Sequence, residues 1–300
     1  MAVYDYATQF SNRLRELYTH RLTSVDLFDS NQDIQIRNGK DLKIPKLSVS
    51  GYKDHTRGSL GFNTGKAENG YQTVSLDHDR DIEFPLDPMD LDETNLVVSI
   101  ANFQKRFEET QAIPELDCYT YSKLYSEFVK NKGTVDNTTL TTANILNKLD
   151  EDLSALEDAG VPLDRVIMYC TTNVKKLLKN AEGITRVLNV GSENSVDRRI
   201  KGVDDIKKMV VVPSARFKTA YNFTAGYAVA SDGQQINYML VDPEAQVSRV
   251  KYSYIKVFTP GTDSRTSDNY LYQNRRYNGT FGIEELITQG VKINADKATV

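Results

Sequence analysis

Residues 46–76 read KLSVSGYKDHTRGSLGFNTGKAENGYQTVSL, and this stretch is the most unusual of the chain. It holds five glycines and few large apolar side chains, whereas apolar and polar residues alternate near its two ends, at 47–50 and 71–76. Alternation with a period of two predicts strands. A structureless loop of this length is uncommon inside a compact domain, and an isolated hairpin is only marginally stable in water. We therefore predict a projecting two-stranded ribbon with a glycine-rich tip, which lies on a second surface.

Two features precede this ribbon. Apolar residues alternate with polar ones on both sides of Asn38-Gly39, which predicts a hairpin because Asn-Gly favours a type I′ turn. At the N-terminus, apolar residues recur at helical spacing: Tyr6, Phe10, Leu14, Leu17 and Tyr18. The residues leave open whether this helix packs on its own domain or extends as an arm to a neighbouring molecule.

The composition changes after the ribbon. Between Asp81 and Asp117, ten acidic residues accompany only two basic ones. Apolar residues at helical spacing begin inside this segment: Leu96, Ile100, Phe103 and Phe107. Acidic residues just before such a stripe favour a helix N-terminus. We predict the longest helix of the chain here, kinked or interrupted at Pro114 and extended by a second apolar stripe to Phe128.

The next segment predicts an α/β unit. It contains a helix over 145–156 that ends at Gly160, a buried strand at 166–169, a short helix at 173–180 and a buried strand at 210–212. Strands dominate from Tyr221 onward. We predict a hairpin around Asp232-Gly233, strands at 236–241, 247–259 and 270–277, and a turn at Asn278-Gly279 into a last strand at 280–287.

Composition excludes several classes of protein. The 300 residues carry 37 basic and 41 acidic side chains, a net charge of −4, which is not the basic surface of a nucleic-acid-binding domain. The longest strongly apolar run, Met209–Val212, is far shorter than the ~20 residues of a membrane helix. The charged N-terminal segment lacks the pattern of a signal peptide. Two cysteines form no disulfide framework, which favours a reducing cytoplasm.

Catalytic and metal-binding motifs are absent from the sequence. His20, His55 and His78 show no metal-ligand spacing, and the glycines of the ribbon do not lead into a helix as in a phosphate-binding loop. Cys170 lies between an apolar strand and a helix, a position that can lower the pKa of a thiol, although a buried cysteine is usually a small apolar residue. We predict no enzyme, no cofactor and no metal. A cytoplasmic thiol hydrolase that uses Cys170 stays open as a distant alternative.

The order of these segments resembles that of tailed-bacteriophage major capsid proteins, the Hong Kong-97-type shell fold. The stretches that carry the resemblance are KIPKL (43–47), GYKDH (51–55), GFNTG (61–65), DHDRD (77–81), MDLDETN (89–95), VVVPS (210–214) and NRRY (274–277). The likeness covers nearly the whole chain, and the order of the stretches is more specific than any one of them.

The resemblance implies an α+β fold with five parts. These are an N-arm (1–32), an extended E-loop hairpin (33–80), a peripheral domain with a long spine helix (81–140), an axial domain (141–235), and the return strands of the peripheral domain with the C-terminus (236–300).

The resemblance also implies a function. It is that of a major capsid, or head, protein, which self-assembles as hexamers and pentamers into the icosahedral shell around a double-stranded DNA genome. The implied partners are other copies of the chain, a separate scaffolding protein, a portal protein at one vertex and packaged DNA without specific binding, with no membrane. The implied location is the virion, after assembly in the cytoplasm of the bacterial host. Encapsulin-like bacterial compartments share the fold and are the alternative.

Charge suggests which residues meet between subunits. Residues 40–80 hold seven basic and five acidic side chains, whereas the segment that follows is strongly acidic. Complementary charge sets the register and rate of association more than its affinity. The expected inter-subunit contacts are Lys53, Arg57 and Lys66 on the ribbon, and Asp90, Asp92, Glu93, Glu108 and Glu109 on the acidic segment.

Overall fold

A computed structural model describes residues 22–28, 30–31, 41–55, 62–87, 103–181, 206–262 and 268–297 of the chain. The predicted N-terminal helix and the Asn38-Gly39 turn lie outside these residues. The helices and strands are α1 (Val25–Phe28), β1 (Asp41–Val49), β2 (Ala67–Ser75), β3 (His78–Leu86), α2 (Ile113–Lys130), α3 (Ile145–Asp158), β4 (Ile167–Thr171), α4 (Thr172–Lys179), β5 (Lys208–Val212), β6 (Tyr221–Asn222), β7 (Ala228–Val229), β8 (Ile236–Val241), β9 (Gln246–Phe258), β10 (Tyr270–Gly282), α5 (Ile287–Gly290) and β11 (Val291–Ala295).

A four-stranded sheet has the order β11-β8-β4-β5. β4 and β5 pair in parallel, as the predicted α/β unit requires, and β8 runs antiparallel to both β4 and β11. Successive side chains of a strand point to opposite faces, so this sheet serves two cores. Tyr169 and Met239 pack with α2, whereas Cys170 and Tyr238 pack with α3 and α4. The sheet therefore lies between α2 and the α3–α4 layer, and it crosses the boundary predicted at 235/236.

A second sheet has the order β3-β10-β9 and is antiparallel. The predicted turn at Asn278-Gly279 is wrong, because β10 continues through both residues, and only its register with β9 shifts after Tyr277. A Cβ atom at position 279 would overlap Leu76 Cδ2. The glycine thus permits close packing inside a sheet rather than a reversal of the chain.

The long helix was predicted to be kinked or interrupted at Pro114. It is not interrupted: residues 103–107 are helical, one π-helical turn follows at Glu108–Ala112, and α2 continues directly from it. Pro114 lies in the first turn of α2, where its missing N–H is tolerated. The carbonyl of Thr110, four residues earlier, accepts a hydrogen bond from the Tyr227 hydroxyl at 3.2 Å. The irregularity is therefore a wide turn before the proline, and the helix is continuous.

The predicted hairpin around Asp232-Gly233 is wrong, because residues 230–233 form only a tight turn, in which the Gly233 amide donates to the Ala230 carbonyl at 2.9 Å. β6 pairs with β7, so the chain reverses across residues 223–227, where Gly226 has a φ of +72°. A Cβ atom on Gly233 would lie 2.7 Å from the carbonyl oxygen of Ala220. Gly233 therefore allows its backbone to lie close to the carbonyl of Ala220. The residue with the positive φ, in the segment where the chain reverses, is Gly226.

The segment before α1 is fixed to α2 by one buried carboxylate. Asp117 is fully buried and accepts hydrogen bonds from the Ser24 amide at 3.1 Å and the Ser24 hydroxyl at 2.9 Å, while Arg216 Nη1 lies 3.3 Å away. Burial raises the pKa of Asp117, and the hydrogen bonds from Ser24 and Thr23 offset this only in part. Thr23 and Ser24 are thus anchored to α2.

Candidate assembly surface

The two-stranded ribbon predicted from the sequence is present. It consists of β1, β2 and the tip residues 50–55 and 62–66, and its antiparallel register runs from Asp41↔Ser75 to Val49↔Ala67. It forms a sheet of its own, since β1 and β2 pair with no other described strand. The ribbon therefore depends on side-chain contacts for its position.

One face of the ribbon is packed at its root. Ile44 and Val74 are buried in a cluster with Leu76, Val247 and Phe281. Gln72, which is also buried, donates from Nε2 to the Gly282 carbonyl at 2.9 Å, and its Oε1 accepts from the Glu284 amide at 3.2 Å. The root is thus held to β9, β10 and the segment after β10 by apolar contacts and by a side-chain amide whose nitrogen and oxygen are both hydrogen-bonded.

The other face of the ribbon is exposed and apolar. Leu47, Val49 and Tyr71 point to this face, and 66%, 71% and 63% of their surfaces are accessible. At the tip, Tyr52 and Phe62 are almost completely accessible. Soluble monomers rarely expose contiguous apolar surface of this kind, and such patches mark interaction sites. This face and the tip form the candidate assembly surface.

The tip is organised by its own polar contacts. The Ser50 amide donates to the Lys66 carbonyl, and the Lys66 amide donates to Ser50 Oγ, both at 2.9 Å. Asn63 Nδ2 donates to the carbonyls of Lys53 at 3.3 Å and Asp54 at 2.8 Å. These bonds join the two sides of the tip beyond the last ladder pair, so the ribbon presents a defined surface rather than two loose ends.

The chain after the ribbon is fastened to α2. Asp77 accepts hydrogen bonds from the Tyr119 hydroxyl at 2.5 Å and from Lys123 Nζ at 2.6 Å. Arg80 Nε donates to Glu115 Oε1 at 2.7 Å, and the His78 ring stacks on that of Tyr119 with centroids 4.0 Å apart. These contacts fix where β2 ends and β3 begins, and so fix the direction in which the ribbon leaves the body.

The carboxylates in this attachment make it sensitive to acid. Burial alone would raise the pKa of Asp77 and Glu115, but the hydrogen bonds and charges of Lys123, Tyr119, His78 and Arg80 outweigh it and lower both pKa values. The two ionised carboxylates contribute their full stabilisation of the folded chain above the ordinary carboxylate pKa of about 4. This contribution is lost as the pH falls through their lower pKa values in the folded chain.

We expect the free energy of unfolding to decrease below about pH 4, and E115Q to flatten this decrease. Urea unfolding between pH 3 and 6 measures it. D150N, at an exposed helix position, is the control and should follow the wild-type curve.

The structure places the residues predicted to contact a neighbouring subunit in different environments. Lys53 and Lys66 are exposed at the tip, where the prediction needs them. Arg57, Asp90, Asp92 and Glu93 lie outside the described residues. The Glu109 side chain is 23% accessible and lies 4.0 Å from Lys105 on the same helix. Whether any of these residues meets a neighbouring subunit stays a prediction.

Glu108 does not fit the predicted role. It is fully buried, with Arg276 Nη2 at 2.7 Å from one carboxylate oxygen and Asn274 Nδ2 at 2.7 Å from the other. It therefore ties the π-helical turn to β10 inside the molecule and presents no charge to a neighbour. The sequence carried a signal for this, because β10 alternates: Tyr272, Asn274 and Arg276 face inward, and an inward arginine requires an acidic partner.

Cys170 lacks the properties of a nucleophile. It is completely buried, and burial raises the pKa of its thiol to about 11. This is opposite to the lowered pKa that a reactive cysteine requires. Within the described residues, no three His, Cys, Asp or Glu side chains are grouped so that they could hold a metal ion. Nor does that part of the chain contain a helix with the length and apolar character to cross a bilayer.

Comparisons with known proteins bear on this arrangement. No protein-family model and no curated protein matches the sequence. The structure is similar to the mature capsid of bacteriophage PhiM1, with a TM-score of 0.60 and 13% identity over 87% of this chain and 83% of that one. It is also similar to the capsid of cyanophage P-SCSP1u, with a TM-score of 0.60 and 10% identity over 88% and 85% of the two chains. This chain has the fold of bacteriophage capsid proteins.

A third capsid-like match extends the coverage. A structure from Gordonia phage Cozz aligns with a TM-score of 0.61 and 10% identity over 93% of this chain and 87% of that one. The likeness therefore extends over more than nine-tenths of this chain. Because identity is so low, the shared property is the capsid fold itself rather than particular side chains.

Proposed function

We propose that this chain is the major capsid protein of a tailed bacteriophage, and that it assembles as hexamers and pentamers into an icosahedral shell around double-stranded DNA. The observation that carries the proposal is the ribbon, whose apolar face and tip are exposed in the isolated chain. In a capsid shell, neighbouring copies of the chain would bury this exposed apolar surface. In this proposal the E-loop (33–80) reaches across to a neighbouring copy, and the N-arm (1–32) contains the segment that Asp117 anchors at Ser24.

In this proposal α2 belongs to the spine helix of the peripheral domain, and the unit around β4 and β5 belongs to the axial domain. The buried contacts between α2 and both sheets support a rigid body from which the ribbon projects. A scaffolding protein and a portal protein would act as further partners during assembly in the host cytoplasm. The net charge of −4 suits a wall that confines DNA without gripping it, since phosphate binding needs clustered lysine and arginine.

Sedimentation and electron microscopy of the purified chain, alone and together with a co-expressed scaffold of its phage, test the proposal. We expect closed shells with five-fold and six-fold capsomers in at least one of these preparations. A chain that stays monomeric in both, with a ribbon that resists proteases, would overturn the proposal. The contents of the particles separate a capsid from an encapsulin, because the former encloses DNA when isolated from virions and the latter encloses cargo proteins.

Charge at the tip should set the rate of assembly. Neutralising Lys53, Arg57 and Lys66 together to glutamine removes the basic end of the ribbon, so we expect slower assembly and weaker dependence on salt, with a similar final yield. Light scattering at 50 and 300 mM NaCl measures both effects. K132Q/K297Q changes exposed lysines away from the ribbon and serves as the control. Kinetics equal to wild type at both salt concentrations would contradict this role of the tip.

A further inference from the structure

The α3–α4 layer carries two exposed faces of opposite charge. α3 contains five carboxylates and one lysine, and Lys148 is already engaged, with Glu151 at 3.0 Å and Asp136 at 3.7 Å. Four acidic residues of α3 are exposed, Glu151 and Asp158 opposite its buried stripe and Asp150 and Glu157 beside it. Among the described residues, Asp150, Glu157 and Asp158 form no ion pair. The net result is an unbalanced acidic face.

α4 has the opposite character. Its eight residues contain three lysines and no acidic residue, and its buried positions, Val174 and Leu178, leave the lysines on the outer side. Lys175, Lys176 and Lys179 line a surface depression of about 350 Å³ together with Thr172 and Asn180. Neither Lys175 nor Lys176 forms an ion pair with another described residue. This depression has the charge and the hydrogen-bond donors to receive carboxylates.

The two faces lie toward different edges of one layer. α3 contacts β11, which is one edge strand of the four-stranded sheet, whereas α4 contacts β8, β4 and the opposite edge strand β5. A ring of identical subunits needs two different, complementary surfaces on each subunit, because its contacts are head-to-tail. A unit with an acidic helix toward one edge and a basic helix toward the other meets this requirement.

We propose that the lysine face of α4 docks on the acidic face of α3 of the next copy, and that this contact closes the capsomer ring. The inference rests on the proposed shell function. A second copy fits better than DNA, because DNA would use the lysines and leave the acidic face of the same layer repelled by phosphate. Exposed charge pairs contribute little affinity each, so the contact selects the neighbour and its orientation.

Charge reversal tests the contact. K175E/K176E makes both faces acidic, and D150K/E157K makes both more basic. We expect each variant alone to fold, with a wild-type circular dichroism spectrum and melting temperature, but to lose at least tenfold in the yield of shells by sedimentation. The quadruple variant, which exchanges the charges at these four positions within one chain, should recover shells. K132E/K297E carries the same net change as K175E/K176E and should assemble like wild type.

Mixing the two charge variants gives a test that no change in folding can mimic. A ring that alternates acidic and basic subunits must contain an even number of them. We therefore expect an equimolar mixture to form hexamers, and open sheets or tubes built from them, but no pentamers and no closed shells. Two results would contradict the α3–α4 contact while wild type still forms shells. Either K175E/K176E also forms shells, or the quadruple variant folds but forms none. In both cases the proposed capsid function is unaffected. If wild type forms no shells under any condition, the proposed function itself fails.

Discussion

Replacing Glu108 by alanine is expected to lower the free energy of unfolding by about 3–5 kcal/mol, since it leaves a buried guanidinium without its carboxylate. Glu108 is fully buried, and Arg276 lies 2.7 Å from it with 10% of its side chain accessible. Asn274 would also lose the acceptor that its amide now has at 2.7 Å. Urea unfolding of the unassembled chain at low concentration measures the loss.

Two further variants make this result interpretable. E157A removes an exposed carboxylate from α3 and should change stability by less than about 0.5 kcal/mol. The double variant E108M/R276M removes both charges at similar volume, so it should recover much of the loss. A variant E108A that unfolds within about 1 kcal/mol of wild type would contradict the buried pair.

Helices with one apolar stripe could be predicted from the sequence because their burial is a local property. Ile145, Leu149, Leu153 and Leu156 recur at helical spacing, and these four are the buried residues of α3. The strands of the parallel pair were also clear. β4 is an apolar run that ends at Thr171 and is buried on both faces, whereas in β5 only Val212 is fully buried. The two strands of the ribbon followed from alternation at each end of a glycine-rich stretch.

Contacts between distant residues could not be predicted. Glu108 and Arg276 are 168 positions apart, so the acidic composition of 81–117 favoured a surface role for a residue that the fold buries. The Asn278-Gly279 dipeptide was misinterpreted for a related reason. Asn-Gly favours a local turn, but the packing of Leu76 against Gly279 decides the outcome, and only the folded chain brings them together.

The same distinction applies to the candidate assembly surface. Alternation predicted two strands but did not say which face would be covered. The structure resolves this by register, since Ile44 pairs with Gln72 on the packed face and Leu47 pairs with Asn69 on the open one. A shift of one residue would exchange the two faces. The packed root therefore selects which apolar residues remain available to a neighbour.

The largest effect on assembly is expected from the triple variant L47S/V49S/Y71S. These side chains are more than 60% accessible, so the monomer should keep its melting temperature within a few degrees. In the shell, burial of the surface that the two aliphatic side chains still expose is worth about 2–4 kcal/mol per subunit, which is about thirtyfold or more in the association constant. We therefore expect folded monomers and no shells by sedimentation and electron microscopy.

The control variant V229S/L286S removes apolar side chains that are 48% and 43% accessible elsewhere on the body, and it should assemble like wild type. Shells of normal yield from L47S/V49S/Y71S would mean that the open face of the ribbon is not what sister copies cover.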